Sequence, residues 1–150
     1  MRILIQECLN GSVTINGVVH SFIGKGEVIF VGFTQGDDEK VIDKMLQKML
    51  KLRIFKDEEG KTNLDLKQHG GTVLCISQFT LYADIHKGNR PSFVNALGGE
   101  YSKALYDIFC EKLKAEIPDC QFGVFGADMK VSLVNDGPFT IFMDSKELGL

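Results

Sequence analysis

The 150-residue chain is 44% hydrophobic and 25% charged, and its formal net charge is −3 at pH 7. This composition is typical of a single globular domain over residues 1–150, and no apolar run nears the ~20 residues that span a bilayer. The weak negative charge argues against nucleic-acid binding by the whole surface, although a local basic patch can still hold a phosphate backbone. The first residues lack the long apolar stretch of a signal peptide, so we expect a cytoplasmic protein without a membrane anchor.

Strand patterns fill the first part of the chain. Two of the β-rich segments flank Asn16-Gly17, the preferred dipeptide of a two-residue type I′ hairpin turn. The four strands predicted here are residues 1–6, 12–15, 18–23 and 27–33.

Two longer segments switch to helical periodicity. In residues 37–51 apolar side chains recur at three- and four-residue spacing, and Asp37 and Asp38 suit the first turn as cap and dipole partners. The opposite face carries lysines, which favours a solvated face over a phosphate-binding stripe. A second helix is predicted over residues 100–115, after a long loop over residues 83–99 of the kind that is often functional.

The remaining strands surround these helices. The order of several strands, a helix, a strand, a helix and several strands predicts a mixed α+β fold, with curved, barrel-like mixed or antiparallel sheets covered by two main helices. The later strands are predicted at residues 72–76, 121–125, 129–134 and 139–143.

Cysteine and histidine form no recognisable site in the sequence. The four cysteines match neither a zinc motif nor a C-x-x-C redox pair, and the three histidines are scattered. We therefore expect no metal and no organic cofactor.

Two polar motifs stand beside apolar runs. The first, from Ser77 to Leu81, reads Ser-Gln-Phe-Thr-Leu and follows the strand of residues 72–76. The second, from Asn135 to Thr140, reads Asn-Asp-Gly-Pro-Phe-Thr and lies between two predicted strands. Small polar residues at two strand ends, one with a Gly-Pro turn, are suited to build a small hydrolytic pocket.

With these motifs the sequence resembles the D-aminoacyl-tRNA deacylase family. The resemblance implies a homodimeric hydrolase with active sites at the subunit interface. Such an enzyme cleaves the ester that joins a D-amino acid, or glycine mischarged on tRNA-Ala, to the 3′ end of tRNA. Further matching blocks are Leu4-Ile5-Gln6, Ser12-Val13-Thr14, Arg53-Ile54-Phe55, Arg90-Pro91-Ser92-Phe93 and Ala127-Asp128-Met129.

The resemblance also assigns a role to each motif. Backbone N–H groups of the first motif face the scissile carbonyl and stabilise the oxyanion. Gly137 and Pro138, joined by a cis bond, enter the partner subunit's pocket, where their backbone occupies the space that an L side chain requires. The catalytic residues implied are Ser77, Gln78, Phe79 and Thr80.

The nucleophile is left open at this point. Thr80 carries the one hydroxyl of the first motif considered as a nucleophile, but the sequence offers no base to activate it. Attack by water, or assistance by the terminal 2′-hydroxyl of the RNA, is therefore favoured. Thr80 can also be a strand-end residue with no chemical role.

Two positions depart from the family pattern. Glu7 stands where the family usually has an arginine that supports the Gly-Pro turn, so Arg2 or a residue of the partner subunit would have to replace it. Phe139 stands in place of valine, which we expect to change packing rather than chemistry.

Contacts with tRNA are expected at its terminal adenosine and acceptor stem. Arg90, Lys87 and the lysine face of the first helix are candidates for the stem. Phe125 and Met129 are candidates for a base pocket, with core packing as the favoured alternative for both.

Two other functions remain open from the sequence. The first is a non-catalytic tRNA- or nucleotide-binding module, which the acidic Glu7 favours. The second is an esterase that acts on another small acyl ester.

Overall fold

The computed structural model describes residues 1–150. Six of its strands form one mixed sheet, and two short strands form a separate hairpin. The strands of the main sheet are β1 (Arg2–Ile15), β2 (Val18–Ile23), β3 (Gly26–Gly32), β6 (Thr72–Ser77), β7 (Gln121–Phe122) and β8 (Lys130–Asp144). The hairpin consists of β4 (Phe55–Lys56) and β5 (Thr62–Leu64).

Three α-helices and one 3₁₀ turn complete the chain. Two of the helices are long, and the third has a single turn. They are α1 (Glu39–Leu50), α2 (Leu66–His69) and α3 (Gly99–Glu116), and the 3₁₀ turn is Phe79–Tyr82. None of the helices is both long and apolar enough to cross a membrane.

Strand β1 is the centre of the sheet. It pairs antiparallel with β2, β3 and β8, whereas β3 with β6 and β6 with β7 are parallel pairs. Strand β2 also contacts β6 and β7, so the sheet curls until it is nearly closed. The mixed α+β fold with a barrel-like sheet and two main helices, predicted from the sequence, is confirmed.

Hydrophobic residues pack on both faces of this sheet. The larger core lies between the sheet and the helices, where Ile3 and Ile29 meet Met45 and Phe109. The smaller core contains only strand residues, such as Val28 and its neighbours on β1, β2 and β6. Because successive strand residues point to opposite faces, Val28 and Ile29 belong to different cores.

Several predicted boundaries were wrong. The strands predicted at residues 1–6 and 12–15 are one strand, β1, which continues through two irregularities in its pairing with β8. The strands predicted at residues 129–134 and 139–143 are likewise joined as β8, because both segments pair with β1 in the same direction. The strand predicted at residues 121–125 ends after two residues.

The first long helix begins later than predicted. Asp38 is its N-cap and its carboxylate accepts a hydrogen bond from the backbone N–H of Val41 at 2.9 Å. Asp37 lies outside the helix, where its carboxylate accepts from the N–H of Thr34 at 2.7 Å and from the amino group of Met1 at 2.6 Å. The hairpin β4–β5, helix α2 and the 3₁₀ turn were not predicted, since each is too short to show a periodic pattern.

Two acidic side chains lie together on the helix-covered face of the sheet. Glu7 on β1 and Glu27 on β3 are direct cross-strand partners. Glu27 is 1% exposed, and neither of its carboxylate oxygens has a hydrogen-bond partner. Burial, and secondly the charge of Glu7, raise the pKa of Glu27 to about 8. This carboxyl is therefore mainly protonated near neutral pH.

We predict that Glu27→Gln stabilises the protein in a pH-dependent manner. Because folding raises the pKa of Glu27 from its ordinary 4.5 to about 8, the stability contributed by this group is complete below pH 4.5 and is lost as the pH rises towards 8. The substitution should change little at pH 4.5 and increase the free energy of unfolding progressively across that window, by a few kcal/mol in all.

Urea unfolding of both proteins at several pH values between 4.5 and 8.5 measures this difference. The matched control is Glu59→Gln, because Glu59 is 72% exposed and paired only with Lys61. A stability difference for Glu27→Gln that is the same at every pH would contradict the prediction.

Candidate active site

An open pocket of about 350 Å³ lies at the end of strand β6. One wall is formed by residues 76–79, which include Ser77, Gln78 and Phe79 of the first motif. The facing wall is the segment of residues 125–129, which leads from β7 to β8. The structure therefore brings three of the four predicted catalytic residues to one cavity.

Two backbone N–H groups beside this pocket have no partner in the chain. The 3₁₀ turn begins at Phe79, and the first N–H groups of such a turn lack acceptors within it. The N–H of Gln78 donates to Val31 at 2.7 Å, but those of Phe79 and Thr80 form no hydrogen bond. They are free to donate to a bound carbonyl oxygen or oxyanion.

A glycine on the neighbouring strand allows this backbone to approach. A Cβ atom added to Gly32 would lie 2.7 Å from the carbonyl oxygen of Gln78, so a side chain there would push the first motif away. Gly32 was not identified from the sequence. The sequence showed that Gly32 lies near the end of a predicted strand. It did not show that the backbone of Gln78 packs against this glycine.

Thr80 does not line the pocket. Its hydroxyl oxygen accepts a hydrogen bond from Nε2 of Gln78 at 2.5 Å. No histidine or carboxylate is hydrogen-bonded to the hydroxyl; His86 is bound to Asp84 and His69 is stacked on Phe55. Thr80 therefore has a local structural partner and no base beside it.

The long loop after the 3₁₀ turn contacts the first motif through one aromatic ring. The ring of Phe93 packs against that of Phe79 edge-on, with centroids 5.0 Å apart. The predicted loop is confirmed over most of residues 83–99, and it is closed by a backbone bridge between Asp84 and Ser92. Lys87 and Arg90 in this loop are exposed and form no ion pair.

Phe125 and Met129 lie between the pocket and the hydrophobic cores. Each lines the pocket, and each also packs against a core cluster. The Phe125 ring lies 5.7 Å from that of Tyr106, and the Met129 sulfur occupies the space left by the missing side chain of Gly123. Between them, Asp128 is the one ionisable residue of the pocket wall and pairs with Lys130 at 2.7 Å.

The Gly-Pro motif forms a loop that leaves strand β8. Asn135 and Thr140 both pair with β1, and their partners there are only two positions apart. Residues 136–139 of β8 therefore have no room in the ladder and protrude from it. The side chain of Asn135 holds both ends of this loop: its oxygen accepts from the N–H of Phe139 at 2.7 Å, and its amide donates to the Thr140 hydroxyl at 3.1 Å. The Gly137–Pro138 peptide bond is cis and both residues are exposed.

The two motifs do not meet within one chain. Neither Gly137 nor Pro138 lines the pocket formed by residues 76–79 and 125–129. Within one chain the two motifs therefore share no cavity.

Glu7 lies opposite the protruding loop. It is 9% exposed, and burial and then the charge of Asp136 raise its pKa, against a smaller opposing effect of Lys56. Within the chain, Arg2 does not take the place of the arginine that the family usually has where this chain has Glu7. Arg2 lies at the start of β1, and its guanidinium pairs with the carboxylate of Asp144 at 2.7 Å. Phe139 packs partly against the larger core, in agreement with the packing role expected for it.

Comparison with known proteins gives one consistent family. Residues 4–144 match the family model described as D-Tyr-tRNA(Tyr) deacylase. The chain is 51% identical over 144 residues to the D-aminoacyl-tRNA deacylase of Lactobacillus helveticus, which covers 96% of this chain and 99% of that protein. It is 49% identical over 146 residues to the enzyme of the same name from Finegoldia magna, with 97% and 99% covered.

Solved structures resemble the whole fold. One, described as a c-Myc DNA unwinding element binding protein, is 36% identical with a TM-score of 0.92 and covers 96% of this chain and 98% of its own. Another, described as a probable eukaryotic D-amino acid tRNA deacylase, has a TM-score of 0.80 over 95% of this chain and 97% of its own. At 18% identity the second shows similarity of fold alone.

Proposed function

The chain belongs to the D-Tyr-tRNA(Tyr) deacylase family, and we propose that it hydrolyses the ester bond of D-aminoacyl-tRNA to release free tRNA and the D-amino acid. The observation that carries this proposal is the pair of unpartnered N–H groups of Phe79 and Thr80 beside a pocket of about 350 Å³. An aminoacyl ester is already activated, so its hydrolysis requires a positioned oxygen nucleophile and a stabilised oxyanion rather than a strong base.

The first motif is the catalytic half of the proposed site. A nucleophilic oxygen attacks the ester carbonyl carbon, and the carbonyl oxygen gains negative charge as the tetrahedral intermediate forms. The N–H groups of Phe79 and Thr80 donate to this oxyanion, while Ser77 and Gln78 position the acyl group. The carbon–oxygen bond to the ribose then breaks, and the 3′-hydroxyl leaves with a proton. Neither metal nor cofactor takes part in these steps.

Water, assisted by the 2′-hydroxyl of the terminal ribose, is the proposed nucleophile. The hydrogen bond from Gln78 to the Thr80 hydroxyl, and the separate partners of His86 and His69, support this route over attack by Thr80. An unactivated threonine hydroxyl is a weak nucleophile at neutral pH.

The Gly-Pro loop is the selective half, supplied by the partner in a homodimer. The exposure of Gly137 and Pro138, and their absence from the pocket of their own chain, support this arrangement. Strand β8 pairs only with β1, so the outer edge of its 15 residues is unpaired. Long open edges are normally covered, and Val134 and Phe142 on β8 add exposed apolar area.

Backbone atoms at the pocket mouth would exclude L side chains without selecting among D side chains. Glycine would not be excluded, because it has no side chain. The tRNA-Ala mischarged with glycine is therefore a further proposed substrate. Rejection of L substrates by 10⁴ requires about 5.5 kcal/mol of differential transition-state energy, which a rigid steric clash can supply.

The tRNA would bind with its terminal adenosine near Phe125 and Met129. Lys87 and Arg90, in the loop that contacts Phe79 through Phe93, are the nearest candidates for the acceptor stem. Because aminoacyl-tRNA is used in translation, the proposed location of the enzyme is the cytoplasm.

Deacylation of one tRNA carrying matched D-, L- and glycyl groups tests the proposed function. We expect rapid release of the D-amino acid and of glycine, with at least 10³-fold slower release of the L-amino acid. Binding without cleavage would instead indicate a tRNA-binding module. Cleavage of free esters but not of D-aminoacyl-tRNA would indicate an esterase of another class.

We predict that Thr80→Ala retains at least about a tenth of the single-turnover deacylation rate, because the hydroxyl is not the nucleophile and the backbone N–H remains. Thr80→Ser, which keeps a hydroxyl, is the matched control. If Thr80→Ala removes nearly all activity while tRNA binding persists and Thr80→Ser is active, Thr80 is the nucleophile.

We predict that Gly137→Ala lowers kcat/KM for the D-substrate at least tenfold. Gly137 has a φ of +125°, and an added Cβ would lie 3.1 Å from the backbone nitrogen of Phe139, so the loop must shift. Gly60→Ala, at φ +77° with no atom near its added Cβ, controls for the backbone cost alone. Unchanged rate and unchanged D/L selectivity in Gly137→Ala would refute the role of the loop.

A further inference from the structure

Arg2 connects three parts of the molecule that meet near the first motif. Its Nε donates to the carboxylate of Asp144 at 2.7 Å, and its Nη1 donates to the carbonyl oxygen of Leu81 at 2.7 Å. Its guanidinium carbon also lies 4.4 Å from the centre of the Tyr82 ring. One side chain thus links the start of β1, the end of β8 and the 3₁₀ turn.

The 3₁₀ turn has few bonds of its own. At its two ends, the bond from the N–H of Leu81 to the carbonyl oxygen of Gln78 is 3.4 Å long, and that from the N–H of Ala83 to the carbonyl oxygen of Thr80 is 3.0 Å. The charge-assisted bond from Arg2 to Leu81 is shorter than either, and such bonds are about twice as strong as neutral ones. Arg2 is therefore an external restraint on the second half of the turn, as the backbone bond from Gln78 to Val31 is at its start.

The ion pair that holds Arg2 is itself well fixed. Although burial of Asp144 opposes its ionisation, the hydrogen bonds from Arg2 and from the N–H of Lys146 keep the pKa of Asp144 below its ordinary value. The carboxylate is thus ionised at neutral pH. A planar guanidinium can bond a carboxylate and a carbonyl through different N–H groups and still stack on a ring, which a lysine ammonium cannot do.

We propose that Arg2 is a positioning residue for the proposed hydrolysis: by holding the carbonyl of Leu81 against the β1–β8 end of the sheet, it sets the direction of the Phe79 and Thr80 N–H groups. This inference rests on the proposed function. Arg2 does not line the pocket formed by residues 76–79 and 125–129, so it would act on the reaction through the turn rather than by contact with the substrate.

Three variants isolate this role. Arg2→Met keeps an unbranched side chain of similar length but removes the charge and both hydrogen bonds. Arg2→Lys keeps the charge, but its single ammonium nitrogen cannot occupy the positions of both Nε and Nη1, from which Arg2 reaches its two acceptors. The matched control is Arg53→Met, because Nε of Arg53 also donates to a backbone carbonyl, that of Asn63, at 2.7 Å, in the separate β4–β5 hairpin.

Single-turnover deacylation of D-aminoacyl-tRNA is the main measurement. Since a displacement of about 1 Å can cost 10²-fold in rate, we expect Arg2→Met to be 10- to 100-fold slower, Arg2→Lys to lie between it and the wild type, and Arg53→Met to match the wild type. The tRNA dissociation constant of Arg2→Met should stay within about twofold of the wild-type value, because the proposed tRNA contacts are elsewhere. Amide hydrogen exchange at Leu81 and Ala83 should accelerate in Arg2→Met and not in Arg53→Met.

Added guanidinium ion provides a chemical rescue. Arg2 borders an open cavity of about 250 Å³ that is also lined by Tyr82 and Ala83, so a free guanidinium can reach Asp144 and Leu81 in Arg2→Met. Millimolar guanidinium should raise the rate of this variant several-fold and leave Arg53→Met unchanged.

The outcomes separate the two proposals. A wild-type chain that does not cleave D-aminoacyl-tRNA overturns the proposed function and the role of Arg2 with it. A wild type that cleaves, with Arg2→Met as fast as Arg53→Met, overturns the role of Arg2 alone. A rate loss in Arg2→Met that is matched by an equal loss of tRNA binding, without faster exchange at Leu81 and Ala83, also overturns it.

Discussion

The pairing of β1 with β8 along nearly their whole length is the constraint on which the candidate site depends. The ladder runs from Arg2 opposite Asp144 to Thr14 opposite Lys130, in one direction throughout. Because β8 has more residues than its partner between these ends, the excess must leave the sheet, and it does so as the loop that contains Gly137 and Pro138. At the end of the ladder, the Arg2–Asp144 pair reaches the 3₁₀ turn through Leu81. The β1–β8 pair therefore carries the second motif directly and reaches the first motif through Arg2, whereas β3 and β6 hold the start of the first motif.

Much of the fold follows from local patterns in the sequence, and the departures have physical causes. The helical periods of α1 and α3 and the Asn-Gly turn of the β1–β2 hairpin are local signals, and they were interpreted correctly. The continuity of β1 and β8 was missed, because a long strand with irregular pairing has no uniform alternation of apolar residues. The burial of Glu27 could not be predicted. The free-energy cost of burying this carboxyl becomes apparent only when Glu7 is known to be its cross-strand neighbour.

The candidate site was predicted in part. Residues 77–79 reach the pocket as expected, and the loop at Gly137–Pro138 is exposed as a contact with another copy requires. Thr80 was placed with its neighbours by sequence proximity, but the 3₁₀ turn directs its side chain to Gln78. Gly32 and Arg2 were not assigned these contacts, because each acts on the first motif from a strand that is distant in sequence. Contacts of that kind depend on tertiary packing, which a single sequence does not display.

We propose that one active site combines residues 76–79 of one protomer with the Gly137–Pro138 loop of its partner. Mixed dimers of two inactive variants test it most directly: Gly137→Ala impairs the loop, and Ala127→Trp fills the pocket. After subunit exchange at equal concentrations, half of the dimers are mixed, and each would contain one intact composite site. We expect D-aminoacyl-tRNA deacylation to recover to about a quarter of the wild-type rate. A mixture no more active than the average of the two separate variants would contradict it.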